Sequence, residues 1–213
     1  MSKYIKRLIS QGEHQQLDFK FEISDAKKIA RTFSAFANTK GGKLLVGVKD
    51  NGVIAGIRTD EEDYMIESAA HLYCRPAIKY TTKKWHIEGR WILEVSIPES
   101  ERKPHYARNE EGKWLAYLRV DDQNFLANRI LLRVWKKRTG KKPVFLRYRE
   151  AEKKLLEYLR CNEKITLSEF LKTVKINKFR AENILVNLIS IGVLRIEFTE
   201  KEVFYNLKEP VKV

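Results

Sequence analysis

The sequence of 213 residues predicts an α+β protein built from two domains. Apolar residues recur at helical spacing in some segments and alternate with polar residues in others, and short turn motifs separate these segments. A polar, basic stretch at residues 136–143 divides two regions with different patterns. Lysine and arginine outnumber aspartate and glutamate by 42 to 28, so the formal net charge is +14.

This positive excess favours a polyanionic partner, either nucleic acid or an anionic membrane surface. A basic surface without a partner is the alternative. No apolar run approaches the roughly 20 residues of a membrane helix, and no apolar segment follows the basic N-terminus. We therefore expect neither a membrane partner nor a secretory signal. Cys74 and Cys161 lie far apart, which implies no disulfide framework and favours a cytoplasmic location.

The first domain is predicted to open with a strand and a helix. Apolar and charged residues alternate over residues 17–21, which is typical of a half-buried strand. Ser24 and Asp25 are good N-caps, and apolar residues at helical spacing continue to Gly41-Gly42, where glycine permits the helix to end. An apolar strand at residues 44–48 follows, and Asn51-Gly52 predicts a hairpin that returns the chain through residues 53–57.

The remainder of this domain is predicted to be a helix, several strands and a further helix. Residues 59–62 read Thr-Asp-Glu-Glu, a capping box for a helix that Pro76 ends. Strand patterns follow, and a last helix is predicted at residues 125–138. The strand patterns cover residues 78–82, 85–87, 91–97, 104–108 and 114–120.

The domain boundary is predicted within the basic stretch. We expect a first domain at residues 1–138, a linker at 139–144 and a second domain at 145–213. Lys136, Lys137 and Arg138 are candidates for phosphate contacts, although a solvated linker explains their charge equally well.

The second domain has the element order of a winged helix-turn-helix. Helices are predicted at residues 149–160, 166–174 and 177–192, and strands at 193–198 and 203–207. In such a domain Asn177, Lys178 and Arg180, at the start of the third helix, are positioned to reach base edges or phosphates. Lys201 at the tip of the wing could contact the backbone, but Glu200 and Glu202 beside it would repel phosphate. A domain used for dimerisation is the alternative.

One ordered set of motifs resembles a known family. Glu13, then Asp18-Phe-Lys20, then residues 35–42 reading Ala-Phe-Ala-Asn-Thr-Lys-Gly-Gly, then Gly47-Val-Lys-Asp50, are similar to the Schlafen-type Alba-like nucleic-acid-binding domain. The resemblance implies an Alba-like fold of mixed, mainly antiparallel strands with helices. Bacterial members of this family commonly join the domain to a C-terminal helix-turn-helix and are described as transcriptional regulators.

The resemblance also implies an alternative, that this protein is an enzyme. Vertebrate Schlafens include metal-dependent endoribonucleases that act on structured RNA, and their catalytic carboxylates correspond here to Glu13, Asp18 and Asp50. Carboxylates of this kind could hold Mg²⁺ or Mn²⁺, and Lys20 could hold the phosphate. Asp18 replaces the usual glutamate, and the cysteines of the vertebrate zinc site are missing. The alternative is that the three acids are ordinary strand-edge and turn residues.

The sequence therefore predicts a nucleic-acid-binding protein that acts as a DNA-binding transcriptional regulator, with DNA favoured over RNA and a binding role favoured over catalysis. A metal-dependent endoribonuclease and a non-catalytic oligomeric scaffold are the alternatives. The chain could also form a homo-oligomer.

Overall fold

The structure, a computed structural model, describes residues 2–57, 61–140 and 148–208. The chain forms two compact units, Met1–Ala127 and Asn128–Val213. Helices and mainly antiparallel strands occur together in both units, which confirms the predicted α+β class. Within the described residues, no helix has both the length and the apolar composition that a membrane crossing requires.

The first unit contains three helices and eight strands in its described part. The helices are α1 (Ser2–Ser10), α2 (Ala26–Asn38) and α3 (Glu61–His71). The strands are β1 (Leu17–Lys20), β2 (Gly42–Val46), β3 (Cys74–Arg75), β4 (Thr81–Ile87), β5 (Arg90–Ile97), β6 (Tyr106–Arg108), β7 (Trp114–Val120) and β8 (Gln123–Leu126).

Two four-stranded sheets organise this unit. One has the order β1-β2-β5-β4 and the other the order β3-β6-β7-β8. All pairs are antiparallel except β1 and β2, which run parallel because α2 carries the chain back between them. The core residues of α2 pack against residues from both sheets, among them Leu44, Val95 and Tyr117. The helix is therefore the centre of the unit.

The ends of α2 follow the predicted chemistry. The Asp25 side chain accepts a hydrogen bond from the backbone N–H of Lys27 at 2.8 Å and so caps the first turn. Gly41 has a φ of +68°, and a Cβ at this position would lie 2.7 Å from both the backbone nitrogen of Glu99 and the carbonyl oxygen of Ile97. Only glycine both adopts this positive φ readily and lacks the Cβ that would clash with these backbone atoms.

Several elements of the first unit differ from the prediction. The strand β3 was not predicted, and β4 replaces the two strands predicted at residues 78–82 and 85–87. Helix α1 was not predicted, although Tyr4, Ile5, Leu8 and Ile9 recur at helical spacing; Ile5 and Leu8 pack with Phe19 and Ile92. The predicted helix at residues 125–138 is instead β8 followed by a helix that starts later. The predicted hairpin after Asn51-Gly52 pairs through one bridge, between Val48 and Ile54. The capping box at residues 59–62 lies partly outside the described residues.

The second unit contains the remaining four helices and three strands of the described chain. They are α4 (Arg129–Thr139), α5 (Glu150–Cys161), β9 (Ile165–Thr166), α6 (Leu167–Val174), α7 (Lys178–Ser190), β10 (Leu194–Phe198) and β11 (Val203–Leu207). The strands form one antiparallel sheet with the order β10-β11-β9. The three helices and two strands predicted from residue 149 onward are all present.

The helix α4 packs in the second unit rather than the first. Its buried residues Ile130 and Val134 share a core with Leu155 and Leu185. The sequence had assigned most of this segment to the first domain, because helical spacing does not tell which core a helix joins. The division into domains at 1–138 and 145–213 stays a prediction, and most of the predicted linker at 139–144 lies outside the described residues.

Candidate nucleic-acid interface

Asp18 is a buried carboxylate held from several sides. It lies on β1 with 3% of its surface exposed. Its Oδ1 is 3.2 Å from Nη2 of Arg119, and its Oδ2 is 3.0 Å from Nζ of Lys20. The hydroxyl of Thr32 lies 3.5 Å from the same Oδ2. Both oxygens therefore already have cationic partners within the protein.

Glu13 lies beside Asp18. Its Oε1 accepts a hydrogen bond from the backbone N–H of Phe19 at 2.7 Å. Burial raises the pKa of the Glu13 carboxyl above its ordinary value, and the neighbouring negative charge of Asp18 raises it further. The structure thus brings Glu13, Asp18 and Lys20 together.

Asp50 does not join this cluster. It is exposed in the turn closed by the hydrogen bond from Gly52 N to Lys49 O at 2.8 Å. Across the described ranges, no three His, Cys, Asp or Glu side chains lie close enough to hold a metal ion together. Because Asp18 is also paired with Arg119 and Lys20, the arrangement does not fit a three-carboxylate metal centre. The catalytic and metal-binding roles of the trio stay predictions.

A basic face of α2 was not predicted as a site. Lys27, Lys28 and Arg31 project from this helix and line, with Arg108 of β6, a cavity of about 270 Å³. Glu110 and Glu111 also line the cavity, and the four basic side chains outnumber them. The sequence shows the exposed side of α2, but it does not show that Arg108 lies opposite.

Aromatic rings accompany Arg31 of this face and Arg75 of β3. The guanidinium of Arg31 lies 5.6 Å from the ring centroid of Tyr117, and that of Arg75 lies 4.8 Å from the centroid of Trp114. Interleaved guanidinium and aromatic groups are typical of surfaces that contact nucleic acid, although the same pairs also stabilise protein surfaces.

The start of α7 presents the second candidate surface. Lys178, Phe179 and Arg180 are all exposed, and Phe179 has 67% of its surface exposed. Asn177 is the N-cap, and its Oδ1 accepts a hydrogen bond from the backbone N–H of Arg180 at 2.9 Å. The oxygen of Asn177 therefore serves the helix, whereas the two cations face solvent.

The basic residues at the end of α4 divide into two kinds. Lys137 donates a hydrogen bond to Oδ1 of Asn187, and Nη2 of Arg138 donates to the carbonyl oxygen of Ile189 at 2.6 Å. These two side chains stabilise the packing of α4 against α7. Lys136 is exposed, as is Lys201 in the turn between β10 and β11, and both remain candidates for phosphate contacts.

A model of the family described as Schlafen, AlbA_2 matches residues 13–128, which is more than half of the chain. The chain belongs to this family. The matched region ends where the first compact unit ends, so the Schlafen, AlbA_2 domain and this unit coincide apart from α1.

Two solved structures are similar to the chain at low identity. The DIP2311 protein of Corynebacterium diphtheriae is 21% identical with a TM-score of 0.46, over 66% of this chain and 30% of that one. The N-terminal domain of a RecG-related protein of Nitrosomonas europaea is 23% identical with a TM-score of 0.40, over 59% of this chain and 95% of that one. This chain therefore spans less than a third of the corynebacterial protein.

Proposed function

We propose that this protein binds nucleic acid and acts as a DNA-binding transcriptional regulator, with α7 as the helix that reads DNA. The observation that carries the proposal is the exposed first turn of α7. There Lys178 and Arg180 flank the exposed ring of Phe179. A helix N-terminus also directs unpaired N–H groups outward, which favours phosphate.

The element order of the second unit supports this role for α7. The sequence α5, β9, α6, α7, β10 and β11, with β9 paired to β11, is the order of a winged helix. In that fold the third helix enters the major groove and the hairpin lies beside it. Lys201 in the hairpin turn and Lys136 on α4 are proposed as additional phosphate contacts.

The Schlafen, AlbA_2 unit is proposed to add contacts that do not depend on base sequence. Membership of the family supports nucleic-acid binding by this unit, and the basic face of α2 gives that binding a location. Such contacts supply affinity rather than specificity, and salt weakens them.

The proposal is tested with the full chain and DNA selected from a pool of random duplexes. Fluorescence anisotropy then compares the wild type with Lys178→Ala/Arg180→Ala and with a matched control, Lys153→Ala/Lys154→Ala on α5. We expect the α7 variant to lose roughly tenfold or more in affinity for the selected site. Enrichment of no sequence, or equal losses in both variants, would contradict α7 as a reading helix.

The same protein preparations also test the endoribonuclease alternative. Structured RNA is incubated with the wild type and with Asp18→Asn in the presence of Mn²⁺. Cleavage by the wild type that the variant lacks would favour the alternative over a binding role. Since Asp18 is buried against Arg119, a thermal melt of Asp18→Asn is needed to show that the variant is folded.

A further inference from the structure

A second cavity lies at one edge of the first sheet, apart from the carboxylate cluster and the basic face of α2. Its volume is about 560 Å³, within the range of roughly 300–1,000 Å³ that is usual for small-molecule sites. It lies where β1, β2 and β4 begin and β5 ends, and the last turns of α1 cover one side. Regular elements therefore frame it on several sides.

The polar lining of this cavity is positively charged. Lys40, Lys43 and Lys79 line it together with His14, and its described lining contains no Asp or Glu. Lys43 is already paired with the buried carboxylate of Glu94. Lys40 and Lys79 are exposed, and neither forms an ion pair with any residue that the structure describes. Two cations are thus available to an anionic ligand.

The remaining lining suits a planar, partly apolar group. Leu8, Leu17 and Ile97 are buried beneath the cavity and form its apolar floor. Tyr80 also lines the cavity, with its ring packed against Phe33 at 5.8 Å between centroids. Gln16 donates its Nε2 to the carbonyl oxygen of Lys40 at 2.9 Å, and Oε1 of Gln11 lies 3.4 Å from Nε2 of His14. Oε1 of Gln16 and Nε2 of Gln11 therefore remain to pair with the edge of a base. A phosphate ion alone would leave this apolar surface uncovered.

We propose that this cavity binds a nucleoside phosphate, with the phosphate at Lys40 and Lys79 and the base against the apolar floor. A free nucleotide and the 5′-phosphorylated end of a strand carry the same chemistry. The site does not depend on α7 or on the proposed regulatory function.

Isothermal titration calorimetry with the full chain tests the site. The probes are ATP, GTP, AMP, adenosine, tripolyphosphate and a single-stranded pentanucleotide with and without its 5′-phosphate. We expect at least one phosphorylated nucleoside or strand to bind at least tenfold more tightly than adenosine, the unphosphorylated strand and tripolyphosphate. A preference for free nucleotides identifies a small-molecule site, and a preference for the phosphorylated strand identifies an end-binding site.

Three variants locate the binding. Lys40→Glu/Lys79→Glu reverses the two free cations, and Thr81→Trp fills the cavity from the exposed start of β4 without changing charge. Each of these two variants is expected to weaken the binding of the preferred probe at least tenfold. The control Lys153→Glu/Lys172→Glu makes the same charge change on α5 and α6, and is expected to bind within about twofold of the wild type.

Several results would overturn the proposal. These are no binding of any nucleoside phosphate at millimolar concentration, tripolyphosphate binding as tightly as the nucleotides, and unchanged affinity in Thr81→Trp. Duplex-DNA binding of Thr81→Trp is measured in parallel. Because this substitution leaves α7 untouched, DNA binding and nucleotide binding can be lost separately, so failure of one proposal is distinguished from failure of the other.

Discussion

Nη2 of Arg119 lies 3.2 Å from Oδ1 of Asp18, and this ion pair joins β7 to β1 across 101 positions of sequence. Both side chains are almost completely buried. The second sheet therefore supplies the principal partner of the carboxylate that the family motif singles out. The motif identifies Asp18 from neighbouring residues, but its partner comes from a distant strand.

Removal of Arg119 is expected to destabilise the first unit strongly. Arg119→Met leaves the carboxylate of Asp18 without its guanidinium, and breaking a buried pair in this way costs about 3–5 kcal/mol. Urea unfolding measures the loss. Asp18→Asn/Arg119→Met should recover part of it, since it removes a buried carboxylate that would otherwise keep only the partly exposed Lys20 as its cationic partner.

The matched control for that experiment is Lys113→Met. Lys113 forms an exposed pair with Glu111, and exposed pairs contribute only about 0–1 kcal/mol. Equal losses in Arg119→Met and Lys113→Met would show that the buried pair has no special importance.

Gly41→Ala is expected to cost more stability than Gly89→Ala. Both glycines have a positive φ, of +68° and +75°, so alanine costs about 1–2 kcal/mol at either position. At Gly41 a Cβ would also lie 2.7 Å from backbone atoms of residues 97 and 99, whereas at Gly89 it would meet nothing within 4 Å. Overpacking adds about 1–3 kcal/mol at Gly41. Thermal or urea unfolding of the two variants compares them, and equal losses would contradict the close approach.

The stability of the first unit is expected to fall as the pH drops from 7 to 5. Burial lowers the pKa of His105, and the nearby charge of Lys103 lowers it further. The folded protein therefore resists a proton that the unfolded chain accepts near its ordinary pKa of about 6.5. The contribution of His105 is fully present above that pH and is lost below it.

Urea unfolding across this pH range, in the wild type and in His105→Gln, isolates the effect. Nδ1 of His105 donates to the carbonyl oxygen of Pro76 at 3.0 Å, so the variant will be less stable at every pH. The prediction concerns the slope of the unfolding free energy against pH, which should flatten in His105→Gln. His86→Gln, at an exposed histidine, should keep the slope of the wild type.

The basic face of α2 is expected to contribute binding that depends on salt and not on base sequence. Lys28→Ala/Arg31→Ala should lower the affinity for random duplex DNA and for RNA, and should reduce the salt slope by about one for each lost phosphate contact. Anisotropy titrations at several salt concentrations measure both quantities.

The control for this surface is Lys6→Ala/Lys154→Ala. These lysines are exposed, each is paired with a glutamate, and neither glutamate lines the cavity at α2, so their loss removes the same formal charge from sites that are already neutralised. An unchanged salt slope in Lys28→Ala/Arg31→Ala, or an equal change in the control, would show that nucleic acid does not bind at α2.

Much of the fold follows from local patterns. The cap at Asp25, the positive φ at Gly41, and the helix and strand order after residue 149 were all predicted from short-range chemistry. The helix α1 was missed although its apolar side chains recur at helical spacing; the structure shows that they pack with Phe19 and Ile92. Helical spacing in α4 could not reveal that its partner is α7.

The candidate sites depended on tertiary structure to a greater degree. Local sequence was sufficient for the identity of the Glu13, Asp18 and Lys20 motif, because these residues lie within one short segment. Folding was needed to pair Asp18 with Arg119, to leave Asp50 apart from Glu13 and Asp18, and to place Lys40 and Lys79 around one cavity. Such contacts join residues far apart in the chain, and backbone preferences of neighbouring residues carry no information about them.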